Sequence, residues 1–287
     1  MISNYLKVGA LAVMVVGMVS CNKGVESNDE QKIVENEAAI NSYLGDSLQG
    51  KVIRESTGIV YYKRTTNAAG EVAKTGDAAT VKFTGYLLNG TKVLAREKDS
   101  SYTFPVDGYI TGLGGLDLGI KLLRTGEKGS FFLPFYLAFG NGSSAVIPAY
   151  SPLRLEVEFI KTRTEAQQIT EYIAAKQFVK YERTADNLVI IRTNTVTGDT
   201  LGSGKSVGIK YVGRLLNGSV FDEGTIASYT TNAGGSITGF DRAIRKMRKT
   251  EKAIVIFPSA LGYGKNAQNA KVPIYPYSPL QFEIEIL

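Results

Sequence analysis

Cys21 is the sole thiol of this 287-residue chain, and histidine and tryptophan are both absent. Thiolate and imidazole are the groups that most often attack, move protons or ligate soft metals near neutral pH. Without histidine there is no Ser-His-Asp or Cys-His nucleophile pair, no His-held zinc and no His-ligated haem. A single cysteine leaves no intrachain disulfide, no Cys-rich zinc site and no iron–sulfur cluster. No metal and no cofactor is expected, and the chemistry open to the chain is that of phenols, carboxylates, cations and apolar surface. Its 33 Lys and Arg against 27 Asp and Glu give a net charge of +6, with no dense basic run dominating the whole chain, so nucleic acid is not an expected partner. Apolar residues at 44% and charged residues at 21% suit a globular protein with a buried core.

The setting of Cys21 suggests what the thiol is for. Lys7 precedes an uncharged apolar run, Val8 to Val19. Twelve residues of helix rise about 18 Å against a hydrocarbon core of roughly 30 Å, too short to span it. A basic start followed by such a run reads as a secretory signal. Met18-Val19-Ser20-Cys21 resembles a bacterial lipobox, with Met18 where leucine is usual. That resemblance implies that Cys21 is acylated as the first residue of the mature protein, placing it in the bacterial cell envelope, periplasm-facing or at the outer membrane, with membrane contact through the N-terminal lipid. The plainer alternative is a buried free thiol. Residues 22–30 are polar and read as a tether.

The remainder is one unit written twice. Leu87-Leu88-Asn89-Gly90 recurs as Leu215-Leu216-Asn217-Gly218, Ser101-Tyr102-Thr103 as Ser228-Tyr229-Thr230, and Tyr150-Ser151-Pro152-Leu153 as Tyr277-Ser278-Pro279-Leu280. Pro134 with Leu137-Ala138-Phe139-Gly140 answers Pro258 with Leu261-Gly262-Tyr263-Gly264. Matches in one order at nearly one offset indicate tandem domains of about 110–125 residues, each large enough to own a core. The division is a signal peptide with the lipobox cysteine at 1–21, a tether and helix at 22–50, a first domain at 51–162, and a helix plus second domain at 163–287.

Each copy opens with a helical pattern: Glu30–Leu44 in the first, and Ile169, Tyr172, Ile173 and Phe178 in the second. Alternating stretches follow, rich in Val, Ile, Tyr and Phe and punctuated by Gly or Asn-Gly. They fall at Gly58–Lys63, Ala79–Leu88, Ser130–Pro134 and Leu153–Ile160, with counterparts Leu188–Arg192, Ser206–Leu216, Ala253–Phe257 and Leu280–Leu287. A short helix sits inside each copy, at Asp117–Leu123 and Asp241–Met247. Few strands, one interior helix and no βαβ alternation predict an α+β fold with an antiparallel sheet.

Ile209-Lys210-Tyr211-Val212-Gly213, then Leu215, Asn217-Gly218 and Phe221-Asp222, resembles the opening signature of the FKBP-type peptidyl-prolyl isomerases, the macrolide-binding immunophilins. Ile237-Thr238-Gly239-Phe240, Phe257-Pro258 with Leu261-Gly262-Tyr263-Gly264, Val272-Pro273 and the closing Leu280–Leu287 continue the series in the family's order. The resemblance covers both copies. It implies two tandem domains, each a twisted antiparallel sheet half-wrapped around a short helix, and catalysis of cis/trans exchange at X-Pro bonds of exported proteins. Proline-containing polypeptide clients and possible macrolide inhibitors are the implied partners.

The same resemblance assigns residues. Tyr211, Phe221, Tyr229, Ile237, Phe240, Val272 and Phe282 would line the proline cavity, with Phe240 where many members carry a floor tryptophan. Tyr263 would donate its hydroxyl to a substrate carbonyl, Asp222 would accept from Tyr211 at the rim, and the Ile237 N–H would be a second donor. Against this stands ordinary packing, the usual role of aromatic residues in strands.

Copy one departs from the pattern. Phe83 replaces the first tyrosine, Val93-Leu94 replace Phe-Asp, Leu116 stands at the floor, Phe139 at the second tyrosine and Leu155 at the late phenylalanine. It is expected to fold as a poor isomerase, serving as an apolar peptide groove, a dimer surface or a spacer. A non-catalytic peptide-binding chaperone and an envelope scaffold are the alternatives for the whole chain. Two weaker signals remain. Arg242, Arg245, Lys246, Arg248, Lys249 and Lys252 suit either anionic headgroups and acidic clients or a solvated helix face, with the solvated face preferred. Gly112-Leu113-Gly114-Gly115 lacks the βαβ surroundings of a dinucleotide loop.

Overall fold

The structure, a computed structural model, describes residues 28–96, 101–108, 113–268 and 270–287. The signal and lipobox readings, Cys21 included, lie outside the described residues. Among the described residues no helix is long and apolar enough to cross a membrane.

Copy one consists of α1 (Asn28–Gln49), β1 (Ile53–Arg54), β2 (Val60–Thr65), β3 (Ala78–Leu87), β4 (Lys92–Arg96), β5 (Tyr102–Pro105), α2 (Gly114–Ile120), β6 (Lys128–Leu133) and β7 (Leu153–Arg163). Copy two consists of α3 (Glu165–Ala175), β8 (Glu182–Arg183), β9 (Val189–Arg192), β10 (Ser206–Leu215), β11 (Val220–Thr230), α4 (Thr238–Lys246), β12 (Lys252–Phe257) and β13 (Leu280–Ile286). All strand pairs are antiparallel, in the order β1-β2-β6-β7-β3-β4 with β5 also on β3, and β8-β9-β12-β13-β10-β11. The two orders are the same order. β11 occupies alone the edge that β4 and β5 share in copy one.

Each sheet has two apolar faces, and each face has its own helix. On the inner face α2 packs over Phe131, Leu133, Leu155 and Val157, and α4 over Val255, Phe257, Phe282 and Ile284. Small residues permit this approach: a Cβ on Gly115 would stand 2.6 Å from Leu133, and one on Gly239 would stand 2.5 Å from Phe257. On the outer face α1 sets Ile40 and Leu44 against Val60 and Phe132, while α3 sets Ile169 and Ile173 against Val189, Ile191 and Ile256. Burying an aliphatic side chain of this size stabilises by about 1.5–3 kcal/mol. β7 runs into α3 with only Thr164 between them, and Thr164 closes a capping box with Gln167.

Five strands lie outside the stretches expected from the sequence: the two-residue β1 and β8, and β4, β5 and β11. In β4 and β11, exposed polar and charged residues dilute the alternation that marks a strand. β11 is an edge strand, so its outward side chains face water and need not be apolar. The interior helices also begin about one turn earlier than expected, at Gly114 and Thr238, because glycine and threonine are weak helix formers in sequence yet sit well in a first turn.

Candidate active site

The inner face of copy two carries a cluster of aromatic rings. β10 turns Tyr211 inward, β13 turns Phe282 inward, α4 brings Phe240 and β12 ends in Phe257. Ring centroids lie 5.1 Å apart for Phe240–Phe282, 5.5 Å for Phe221–Phe282, 5.6 Å for Tyr211–Phe240 and 5.9 Å for Tyr229–Phe240, mostly edge to face. Phe257 stacks on Phe282 at 5.7 Å. Edge-to-face contact sets the positive rim of one ring on the negative face of the next. The buried floor is Phe221, Phe240 and Phe282, and the half-buried Tyr211, Ile237, Tyr263 and Val272 rise around it. All the residues expected to line a proline cavity are thus drawn to one apolar core.

A bulge makes the rim polar. Gly213 pairs with Asp222 and Arg214 with Val220, which leaves Phe221 as the extra residue. Its ring turns inward over Gly213, where a Cβ would stand 2.7 Å from Phe221 and 3.0 Å from Phe282. Asp222 is exposed, and its Oδ2 accepts the Tyr211 hydroxyl at 3.0 Å while Oδ1 accepts the Glu223 N–H at 2.9 Å. Burial, then the hydrogen bond to Asp222, raises the Tyr211 hydroxyl above its ordinary pKa of 10.0. Burial raises Tyr263 as well, and the Asp222 carboxylate adds to the shift, which puts that charge within electrostatic reach of the second phenol. Both hydroxyls are protonated near neutral pH, and that of Tyr211 is donated to Asp222. A Lys271–Glu223 ion pair at 3.0 Å ties the loop after Tyr263 to β11.

Tyr229 stands in the cluster with its ring, and its hydroxyl has a separate task. It walls the cluster, but its hydroxyl lies between Ser236 Oγ at 2.6 Å and Asp241 Oδ1 at 2.9 Å, and burial with Asp241 pushes it up to about 12. That hydroxyl is committed to the start of α4. Ile237 occupies the position before α4 with extended backbone (φ −63°, ψ 144°). Tyr263 follows a 3-10 turn, Ser259–Leu261, and is flanked by Gly262 and by Gly264, whose φ of 60° suits glycine.

Sequence reasoning missed Phe257 as a stacking partner, Gly213 and Gly239 as close-approach positions, and Glu165. The glycines stand inside the quoted motifs. Glu165 had no local signal, because its partner Ser259 lies 94 positions away. The basic cluster also resolves. Arg242 meets Asp186, Arg245 meets Asp241, Lys246 meets Glu182, Arg248 meets Glu251 and Lys252 meets Glu285, so these cations form a paired, solvated face.

In copy one the same positions are apolar. Gly85 pairs with Leu94 and Tyr86 with Lys92, the same bulge as in copy two with Val93 extra. Here Leu94 itself turns over the glycine, its Cδ1 3.0 Å from where a Gly85 Cβ would stand. Leucine at Asp222's position therefore fills the space that Phe221 fills in copy two. Phe83, Leu116 and Leu155 are buried, and Phe139 is 36% exposed. One polar group persists: Tyr102 stands where Tyr229 stands, edge-on to Phe83 at 6.2 Å.

The family model of the FKBP-type peptidyl-prolyl cis-trans isomerases matches residues 70–160 and 198–287. The chain is 28% identical over 140 residues to the FKBP-type peptidyl-prolyl cis-trans isomerase FkpA of Aeromonas hydrophila, covering 48% of this chain and 51% of that protein. It is 26% identical over 226 residues to the peptidyl-prolyl cis-trans isomerase FKBP9 of Mus musculus, covering 75% of this chain and 35% of that one. Against the crystal structure of FkpA from Escherichia coli it aligns with a TM-score of 0.40 and 26% identity, covering 47% of this chain and 62% of that chain. The chain spans no more than about half the length of these two curated relatives.

Proposed function

Because the chain belongs to the family of FKBP-type peptidyl-prolyl cis-trans isomerases, we propose that it accelerates cis/trans exchange at X-Pro bonds and that copy two does the work. The observation that carries this reading is the Tyr211–Asp222 pair at the edge of a floor of buried phenylalanines, with the half-buried Tyr263 packed against the same cluster.

The barrier to rotation, about 18–20 kcal/mol, comes from amide resonance. No bond breaks, so a chain without histidine is not handicapped. As the imide twists it loses resonance and its carbonyl becomes less dipolar, so an apolar cavity holds the twisted form better relative to the planar one than water does. Phe221, Phe240 and Phe282 supply that surface, and Ile237 and Val272 hold the pyrrolidine ring. Tyr263, kept protonated by burial, donates to a substrate carbonyl. Asp222, held by Tyr211, faces the rotating amide, and the Ile237 N–H provides a second donor. Phe240 in place of tryptophan keeps the floor apolar but lacks an indole N–H, which alters affinity rather than the reaction.

The clients are proline-containing segments of exported polypeptides, and macrolides that mimic them compete for the cavity. Cys21 carries a lipid that holds the protein at the cell envelope, and copy one is an accessory binding domain. Isomerisation of a Leu-Pro or Phe-Pro peptide by the full chain tests the central reading: acceleration is expected, and its absence overturns it. Retained suppression of client aggregation in an inactive double variant, Asp222→Leu with Tyr263→Phe, would identify a non-catalytic chaperone instead. Palmitate incorporation lost on Cys21→Ala tests the anchor.

A further inference from the structure

Tyr263 is aimed by a turn, and that turn is held from outside its own sheet. Glu165, in the first turn of α3, accepts the Ser259 N–H on Oε2 at 2.6 Å and the Ser259 Oγ–H on Oε1 at 2.7 Å. Ser259 is 3% exposed, so these donors have no water to turn to. Its own carbonyl accepts the N–H of Gly262 and the N–H of Gly264, each at 2.8 Å, and those are the two neighbours of Tyr263. The Gly264 carbonyl in turn accepts the Tyr277 N–H at 2.8 Å. Ser259 is thus a hub, with a carboxylate gripping its donors and its acceptor gripping both sides of the phenol.

Copy one repeats the hub in weaker form. The Phe135 N–H donates to Asn36 Oδ1 at 2.8 Å, and the Phe135 carbonyl accepts from Ala138 and Gly140, the neighbours of Phe139. There a neutral amide from α1 satisfies one donor. In copy two, two donors on one residue call for two acceptor oxygens, and bonds to a charged acceptor are the shorter and stronger kind. The stronger grip sits on the copy whose turn carries a hydroxyl.

We propose that Glu165 is a positioning residue for the reaction, setting the Tyr263 hydroxyl through Ser259, so that the helix following copy one completes the site of copy two. This rests on the reading of Tyr263 as a substrate donor. A misplacement of about 1 Å can lower a rate by as much as a hundredfold.

In the full chain, Glu165→Ala is expected to lower kcat/KM on a Phe-Pro peptide about tenfold to a hundredfold. Glu165→Gln, which keeps an acceptor for the amide and offers a donor to Oγ, should recover most of that loss. With Tyr263→Phe already present, Glu165→Ala should cost little more, because both changes remove one interaction. Independent, multiplying losses would overturn the proposal, as would failure of glutamine to rescue. Should the alanine variant not fold, Glu165→Asp, one methylene too short to reach Ser259, carries the same expectation. Amide exchange separates the two levels of the argument. Gly262 and Gly264 should exchange about tenfold faster in Glu165→Ala, while Ala138 and Gly140 stay unchanged. Unchanged exchange at Gly262 and Gly264 overturns the clamp even in an active enzyme. An inactive parent chain overturns the isomerase reading and with it the catalytic role, whatever the exchange shows.

Discussion

Gly213 and Gly85 sit at the same register position of the same bulge in two copies of one sheet, and they are covered by different residues. Over Gly213 lies the ring of Phe221, which leaves Asp222 outside to meet Tyr211. Over Gly85 lies Leu94, the residue at Asp222's position, and the polar rim is gone. One bulge therefore serves a site or a plain core, depending on which of two adjacent side chains is apolar. The scaffold is kept in both: strand order, helix on each face and the hub behind the turn at residues 135–140 or 259–264. What differs is a handful of hydroxyl and carboxyl groups, worth little to folding because they lie at the solvent edge, yet in copy two they are the groups that would contact substrate.

The sharpest way to break this contrast is at the floor. Phe240→Ala should destabilise copy two by about 3–5 kcal/mol, because the ring is 5% exposed and touches Tyr211, Tyr229 and Phe282. Leu116→Ala should do comparable damage in copy one and leave isomerisation by the full chain intact. Copy-specific amide exchange during denaturant titration reads both, since two domains need not unfold together.

Removing the rim separates chemistry from folding. Asp222→Leu with Tyr263→Phe should lower the isomerisation rate of the full chain about tenfold or more, with the unfolding midpoint of copy two nearly unchanged. Leu94→Ala with Phe139→Ala should leave the rate within about twofold, even where it weakens copy one. A loss shared equally between the two double variants would erase the distinction.

Smaller effects test the bulge. Gly213→Ala should destabilise by about 1–3 kcal/mol, because a methyl there meets two buried rings packed edge to face, Phe221 at 2.7 Å and Phe282 at 3.0 Å. Gly85→Ala should do less, since its nearest neighbours, Leu94 Cδ1, Leu155 Cδ2 and Leu94 Cβ, stand 3.0–3.1 Å away and need yield only a few tenths of an ångström.

The smallest effect is a pH difference. Burial raises the Glu165 carboxyl above its ordinary value and outweighs the two bonds from Ser259, which favour the charged form. The stability tied to this shift is full below the unfolded pKa and lost as pH rises through the folded one. Glu127 is opposite. Burial pushes it up, but hydrogen bonds from Lys63 and from the amides of Asn67 and Arg124 outweigh that and hold it low. Its contribution is present above the unfolded pKa and lost as pH falls through its folded value. Acidifying from neutrality should first favour copy two slightly while copy one holds. Below the ordinary glutamate value of 4.5, copy one should weaken. Amide exchange in β6 and β12 at a series of pH values checks the order.

The repeat, the α+β class, both outer helices and most strands are legible in the chain, because the alternation of buried strands and the 3.6-residue spacing of α3 are local patterns. The pair Tyr211–Asp222 and the aromatic floor were legible through motif resemblance. Edge strands were not: with one side in water, β11 carries Asp222, Glu223 and Ser228, which look like loop. Nor was Tyr229's hydroxyl, whose destination depends on where α4 begins.

What the amino-acid order determined alone is which chemistry is available: no imidazole, one thiol after an apolar run, and phenols and a carboxylate spaced along strands in one copy but not the other. These are facts of type and spacing, and no fold can alter them. Which phenol meets Asp222, which is spent on Asp241, and which carboxylate braces the turn were decided only in three dimensions. Each depends on atoms brought together from distant stretches, Glu165 with Ser259 above all, and such contacts follow from packing of the whole chain rather than from any local pattern.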